Sequence, residues 1–153
     1  MFLLTIQLHS ENAKKINKRK LSDMQNRVKQ VTETPNAVLI SIHQNYFPEE
    51  NCRGAQVFFG KNNVQSRPLA ESVLISLNKG LNDRYIRDIK KVEDRVYLLK
   101  NVNCPAILVE CGFLSNAKES ELLMSDSYRL KISACIASGY LQYTKDLNEN
   151  HFF

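Results

Sequence analysis

The chain has 153 residues, 43% of them hydrophobic and 24% charged, which is enough for one soluble globular domain with a single buried core. No apolar run approaches the roughly 20 residues that span a bilayer, so no transmembrane segment is expected. The net charge of +5 and pI of about 9.0 suit a polyanionic partner: nucleic acid, an anionic wall polymer or a membrane surface. Much of that charge sits in "KKINKRK" (14–20) with no interleaved aromatic residue. No nucleic-acid-binding fingerprint accompanies it, so no nucleic-acid partner is expected.

Taken in chain order, the opening "MFLLTI" is apolar but short, lacks a basic residue before it, and reads as a strand over residues 2–5 rather than an export signal. Leu21, Met24, Val28 and Val31 recur at helical spacing, with Arg27 and Lys29 toward solvent, and Pro35 and Asn36 stop that helix. "AVLISIH" (37–43) is too continuously apolar to have a wet face and predicts a strand of a sheet covered on both sides. The polar stretch "QNYFPEENCRG" leads to a further strand, "AQVFF" (55–59). Pro68 opens a helix with Leu69, Val73, Leu77 and Leu81 on one stripe. "RVYLLK" (95–100) and "AILVE" (106–110) read as two more strands, and a last helix over about 127–143 is expected to bury Leu130, Ala134, Ala137 and Leu141. Strands alternating with helices predict an α/β three-layer sandwich with a mainly parallel central sheet flanked by helices.

Two of those strands end in His43 and Glu110. Ligands of open α/β sheets gather outside the carboxyl ends of the strands, so parallel strands would bring both side chains to one rim. A neutral imidazole there is a zinc-ligand type, and a nearby carboxylate can serve as general base toward an attacking water. Cys52, Cys104, Cys111 and Cys135 lack zinc-ribbon or disulfide-framework spacing. They read as free thiols, with Cys111 at an apolar strand end as inert packing rather than a nucleophile.

"SIHQN" (41–45), "GAQVFF" (54–59), "YLLK" (97–100) and "PAILVECGFLSNAKE" (105–119) occur in order and at suitable intervals. Together they resemble the catalytic domain of zinc-dependent N-acetylmuramoyl-L-alanine amidases of the amidase-3 type. Gln after the His and Cys after the Glu are most similar to the spore-cortex form. The resemblance covers about Leu3 to Tyr143. It implies hydrolysis of the amide between N-acetylmuramic acid and L-alanine in peptidoglycan, with His43 as a metal ligand, Glu110 as the catalytic carboxylate and Zn2+ as cofactor. It further implies an extracytoplasmic place of work, in cell wall or spore cortex, and leaves an activator protein open. Asn45 and Asn116 are expected to pin rim loops through backbone hydrogen bonds.

The family pattern also includes an earlier strand ending in a His-Gly-Gly motif and a helix bearing a Glu, which supply the other two metal ligands. This sequence enters the pattern at the following strand, where Ile6 replaces the family's Arg. The expected domain is therefore residues 1–145, incomplete at its N-terminus, followed by a polar tail at 146–153. Loss of a central strand would expose two sheet edges or leave an apolar groove. His9, Glu11 and His151 are poor substitutes for the missing ligands. Two readings follow: a peptidoglycan amidase, or an inactive remnant that binds peptidoglycan or a partner amidase.

Overall fold

The computed structural model describes residues 2–6, 13–81, 87–94 and 96–149, with side chains from Leu21 onward. In order, the elements are β1 (Phe2–Ile6), α1 (Ala13–Glu33), β2 (Val38–Asn45), β3 (Gln56–Phe59), α2 (Ser66–Gly80), β4 (Lys90–Lys91), α3 (Tyr97–Asn101), β5 (Ala106–Phe113), α4 (Ala117–Met124) and α5 (Asp126–Glu149). They form a five-stranded sheet in the order β1-β2-β5-β3-β4.

The pairs β1/β2, β2/β5 and β3/β4 are parallel, and β3 alone runs antiparallel to β5. The reason lies in the connection. A parallel return needs a crossover of roughly a dozen residues or more, usually a helix, whereas β2 reaches β3 through the short irregular segment 46–55. Helix α2 then supplies the crossover that lets β4 lie parallel to β3. The free edge at β4 consists of two exposed lysines, a charged border that discourages edge-to-edge pairing.

Successive strand residues face opposite sides, and the two faces carry separate cores. Ile40, Val57, Ile107 and Val109 pack with Leu69, Val73 and Leu77 of α2, Leu123 of α4, and Ile132 and Ile136 of α5. Leu39, Ala106 and Leu108 pack with Val31 of α1 and Leu98 and Leu99 of α3. This is the expected three-layer α/β sandwich. The stripe on α2 is as the spacing predicts, with Leu69, Val73 and Leu77 fully buried. On α1, Val31 is buried and Met24 and Val28 pack beside it, while Leu21 is exposed. Asn36 ends that region in the left-handed conformation, φ 53°.

Four expectations are corrected. "YLLK" is helix α3 rather than strand: Leu98 and Leu99 are both buried on the same core, which adjacent residues of a strand, pointing to opposite faces, do not achieve. Lys100 N–H bonds the Val96 carbonyl at 3.0 Å and the Asn101 amide returns to the Tyr97 carbonyl at 2.7 Å, closing that turn. Second, α5 buries Ile132, Ile136, Gly139 and Tyr143, whereas Leu130 and Leu141 are 72% and 65% exposed. A side chain at Gly139 would lie 2.5 Å from the Val73 Cα, so absence of a side chain, not apolarity, decides which stripe meets α2. The Ser72 hydroxyl donates to the Gly139 carbonyl at 2.7 Å across the same contact. Third, β2 and β5 extend past His43 and Glu110, to Asn45 and Phe113. Fourth, β1 pairs directly with β2 from Phe2 opposite Val38 to Ile6 opposite Ile42, so no groove separates them. Helix α5 continues through 146–149, and Leu147 packs against the core.

Candidate active site

Strands β2 and β5 are parallel neighbours with His43 opposite Glu110, and β3 on the other side of β5 sets Gln56 opposite the same Glu110. Laterally paired residues share a sheet face. A row of imidazole, carboxylic acid and primary amide therefore crosses three adjacent strands near the carboxyl ends of β2 and β5. All three alternate with residues of the α2/α5 core and so lie on the α1 side of the sheet. Just beyond His43 the β2/β5 register shifts, and Asn45 comes opposite Phe113.

The Ser41 hydroxyl, one pleat back on the same face and 1% exposed, sits 3.0 Å from His43 Nε2 and anchors the ring. Glu110 is half-buried, and its Oε2 is buried with no hydrogen-bond partner. Removing a carboxylate from water without a compensating bond disfavours its charged form. Burial accordingly pushes the Glu110 carboxyl up from 4.5 to about 7. A group poised there exchanges protons at neutral pH, the property that general acid–base chemistry uses. Cys111 points to the opposite face, into the α2/α5 core, and burial with Glu110 nearby pushes its thiol up to about 12. Such a thiol stays protonated and unreactive, in keeping with the packing role read from sequence.

The loops behind this row are tied down by polar side chains. Asn116 caps α4 by accepting from Glu119 N–H at 3.1 Å, and its amide donates to the Glu50 carbonyl at 2.8 Å. Asn45 contributes through its main-chain carbonyl, which accepts from Leu114 N–H at 2.7 Å. Glu119, 8% exposed, accepts from Gly54 N–H at 2.7 Å and from Phe113 N–H at 2.8 Å. Sequence reading missed both Gln56 and Glu119. The available signals were a polar residue interrupting the apolar "AQVFF" and a Glu three residues after a capping Asn, the spacing of a helix start.

A catalytic zinc is normally held by three protein ligands. Among the described residues no group of three or more His, Cys, Asp or Glu could hold a metal ion. His43 and Glu110 are adjacent, but Glu119 is committed to two main-chain donors and Cys111 lies on the other face. The described residues thus do not by themselves fit a complete zinc site. His9, Glu11 and His151 lie outside the described residues.

The fold is a three-layer α/β sandwich with an imidazole and a half-buried carboxyl group at one lip of the sheet. The profile of the N-acetylmuramoyl-L-alanine amidase family matches residues 3–142, and the chain belongs to that family. It is 33% identical over 136 residues to the germination-specific N-acetylmuramoyl-L-alanine amidase of Bacillus subtilis (strain 168), covering 89% of this chain and 56% of the relative. Among solved structures, the CwlD amidase from Clostridioides difficile, in complex with the GerS lipoprotein, superposes with a TM-score of 0.81 at 32% identity, over 92% of this chain and 71% of that one. An N-acetylmuramoyl-L-alanine amidase from Clostridium difficile 630 gives 0.72 at 25% identity, over 80% and 65%. The chain thus spans little more than half the length of the Bacillus relative.

Proposed function

We propose that this chain works in hydrolysis of the amide between N-acetylmuramic acid and L-alanine in peptidoglycan, with Glu110 as the carboxyl group that takes a proton from the attacking water and returns it to the leaving amine. The supporting observation is the in-register juxtaposition of His43 and Glu110 on neighbouring parallel strands. The raised protonation range of Glu110 lets one group both accept and donate near neutrality. His43 is the described residue that would hold Zn2+, which, if bound, would polarise the reacting groups. The remaining ligands must come from outside the described residues. The basic charge of +5 suits an anionic wall polymer as substrate. By extension from the relatives, the work is extracytoplasmic, in wall or spore cortex, and a lipoprotein of the kind bound to the CwlD amidase is a candidate partner.

The test is digestion of muropeptides by the full chain supplied with zinc, scored by new L-alanine amino termini, alongside elemental analysis. On the amidase reading the result is about one zinc per chain and a Glu110→Gln variant that keeps its metal while turnover falls on the order of 10²–10⁴-fold. Turnover that survives the substitution removes Glu110 from its role. The lack of a three-ligand cluster among the described residues favours a second reading, a non-catalytic chain that binds peptidoglycan or a partner amidase. A chain that sediments with peptidoglycan but neither retains zinc nor cleaves muropeptides establishes that alternative.

A further inference from the structure

The peptide unit joining Arg53 to Gly54, just before Gln56, is held from both ends. Its N–H donates to Glu119 Oε1 at 2.7 Å, and its carbonyl accepts from Arg87 Nε at 3.0 Å and from Arg87 Nη2. The same two side chains meet again at Phe113, the last residue of β5. The Phe113 N–H donates to Glu119 Oε2 at 2.8 Å, and the Arg87 guanidinium lies 5.3 Å from the centre of the Phe113 ring. The contacts close into a circuit of carboxylate, peptide, guanidinium and aromatic residue. Its chemistry is matched at each step. A carboxylate accepts from two amides, a cation donates to the carbonyl of one of those peptides, and the cation rests on a ring face.

Two local features serve this circuit. Gly54 has φ 88°, a conformation L side chains rarely adopt, so the amide reaches Glu119 because the residue is glycine. At Gly112 a side chain would approach Glu119 Oε2 to 3.1 Å, so the carboxylate is seated against a second glycine. The neighbouring Asn116 cap bonds the main chain of Glu119 itself at 3.1 Å and fixes where its side chain starts.

We propose that Glu119 and Arg87 are positioning residues that clamp the entry of β3 to the exit of β5 and thereby set Gln56 and Glu110 against each other in the polar row. Gln56 follows the clamped peptide closely and Glu110 precedes the clamped Phe113 closely, and the two are directly paired across β3 and β5. The catalytic consequence of the clamp rests on the amidase reading above; its existence does not. Glu119→Gln replaces one acceptor oxygen by a donor that faces an N–H, and Arg87→Ala removes the opposite arm.

The experiment follows amide exchange by NMR in both variants of the full chain, the 13C carboxyl resonance of Glu110, and muropeptide kinetics. The amides of Gly54 and Phe113 are expected to exchange roughly tenfold faster or more together in Glu119→Gln, while those of Ile107 and Val109 hold their protection. The Glu110 resonance is expected to move in both variants, with that of the distant, exposed Glu71 unchanged. With an active wild type, kcat is expected to fall roughly tenfold with KM within about twofold, because orientation of the reacting group rather than binding is lost. Uniform loss of protection, a stationary Glu110 resonance, or an unchanged kcat in an active enzyme overturns the proposal. An inactive wild type overturns the amidase reading alone, and the exchange and resonance data then decide the clamp.

Discussion

Glu110 and Glu119 are carboxyl groups of the same lip, built to opposite specifications. Glu119 is more deeply buried, yet each of its oxygens receives a main-chain N–H. Glu110 is less buried, but one oxygen has no partner, and burial raises its protonation range to about 7. Depth therefore does not distinguish the two acids. Provision of donors does: both Glu119 oxygens accept backbone N–H groups, whereas Glu110 keeps one buried oxygen with none, and its burial favours the protonated form.

The contrast breaks most visibly at Glu119. Replacement by Ala strands the Gly54 and Phe113 amides in a buried setting, and the expected cost is about 3–5 kcal/mol in urea unfolding, from two lost charge-assisted bonds and the desolvated donors left behind. A cost below about 1 kcal/mol would mean the two amides find other acceptors.

Glu110→Gln should act in the other direction on stability. The unfolded chain keeps the ordinary value of 4.5 while the folded protein holds the proton up to about 7. The folded state therefore binds more protons between those values, and stability falls as pH rises through that window. The neutral Gln escapes the penalty, so the variant is expected to exceed the wild type by about 3 kcal/mol at pH 8, with the difference fading by pH 4.5. Thermal melts across that range read it directly. A difference of the opposite sign at pH 8 would show that the Glu110 carboxylate is stabilised rather than strained.

The smallest effect sharpens the comparison at the neighbouring cap. Asn116→Ala removes the acceptor for Glu119 N–H and the donor to the Glu50 carbonyl, with an expected loss of about 1 kcal/mol. Exchange at Gly54 should quicken only modestly, since the Glu119 side chain keeps both of its own bonds.

Much of the fold was legible from periodicity. The apolar runs at β2 and β5 and the Leu69–Val73–Leu77 stripe declare themselves because burial on both sides, or on one face, leaves little choice of residue type. The meeting of His43 and Glu110 follows from strand ends in a parallel pair. Neither signal reaches α3, where two leucines suit strand or helix and only the core they share decides. Nor does it reach α5, which carries two stripes of identical spacing: Leu130, Ala134, Ala137 and Leu141 face solvent because Gly139 admits the α2 backbone on the other side.

What the sequence determined by itself was therefore strands β1, β2, β3 and β5, the layer architecture and the two side chains at the lip, since these depend on local spacing and on which residues tolerate burial. What only the tertiary structure decided was the antiparallel setting of β3, the face of α5, the presence of Gln56 beside Glu110 and the different fates of two acids. Each of those depends on partners far apart along the chain. A carboxylate's character is fixed by the donors that the fold brings to it.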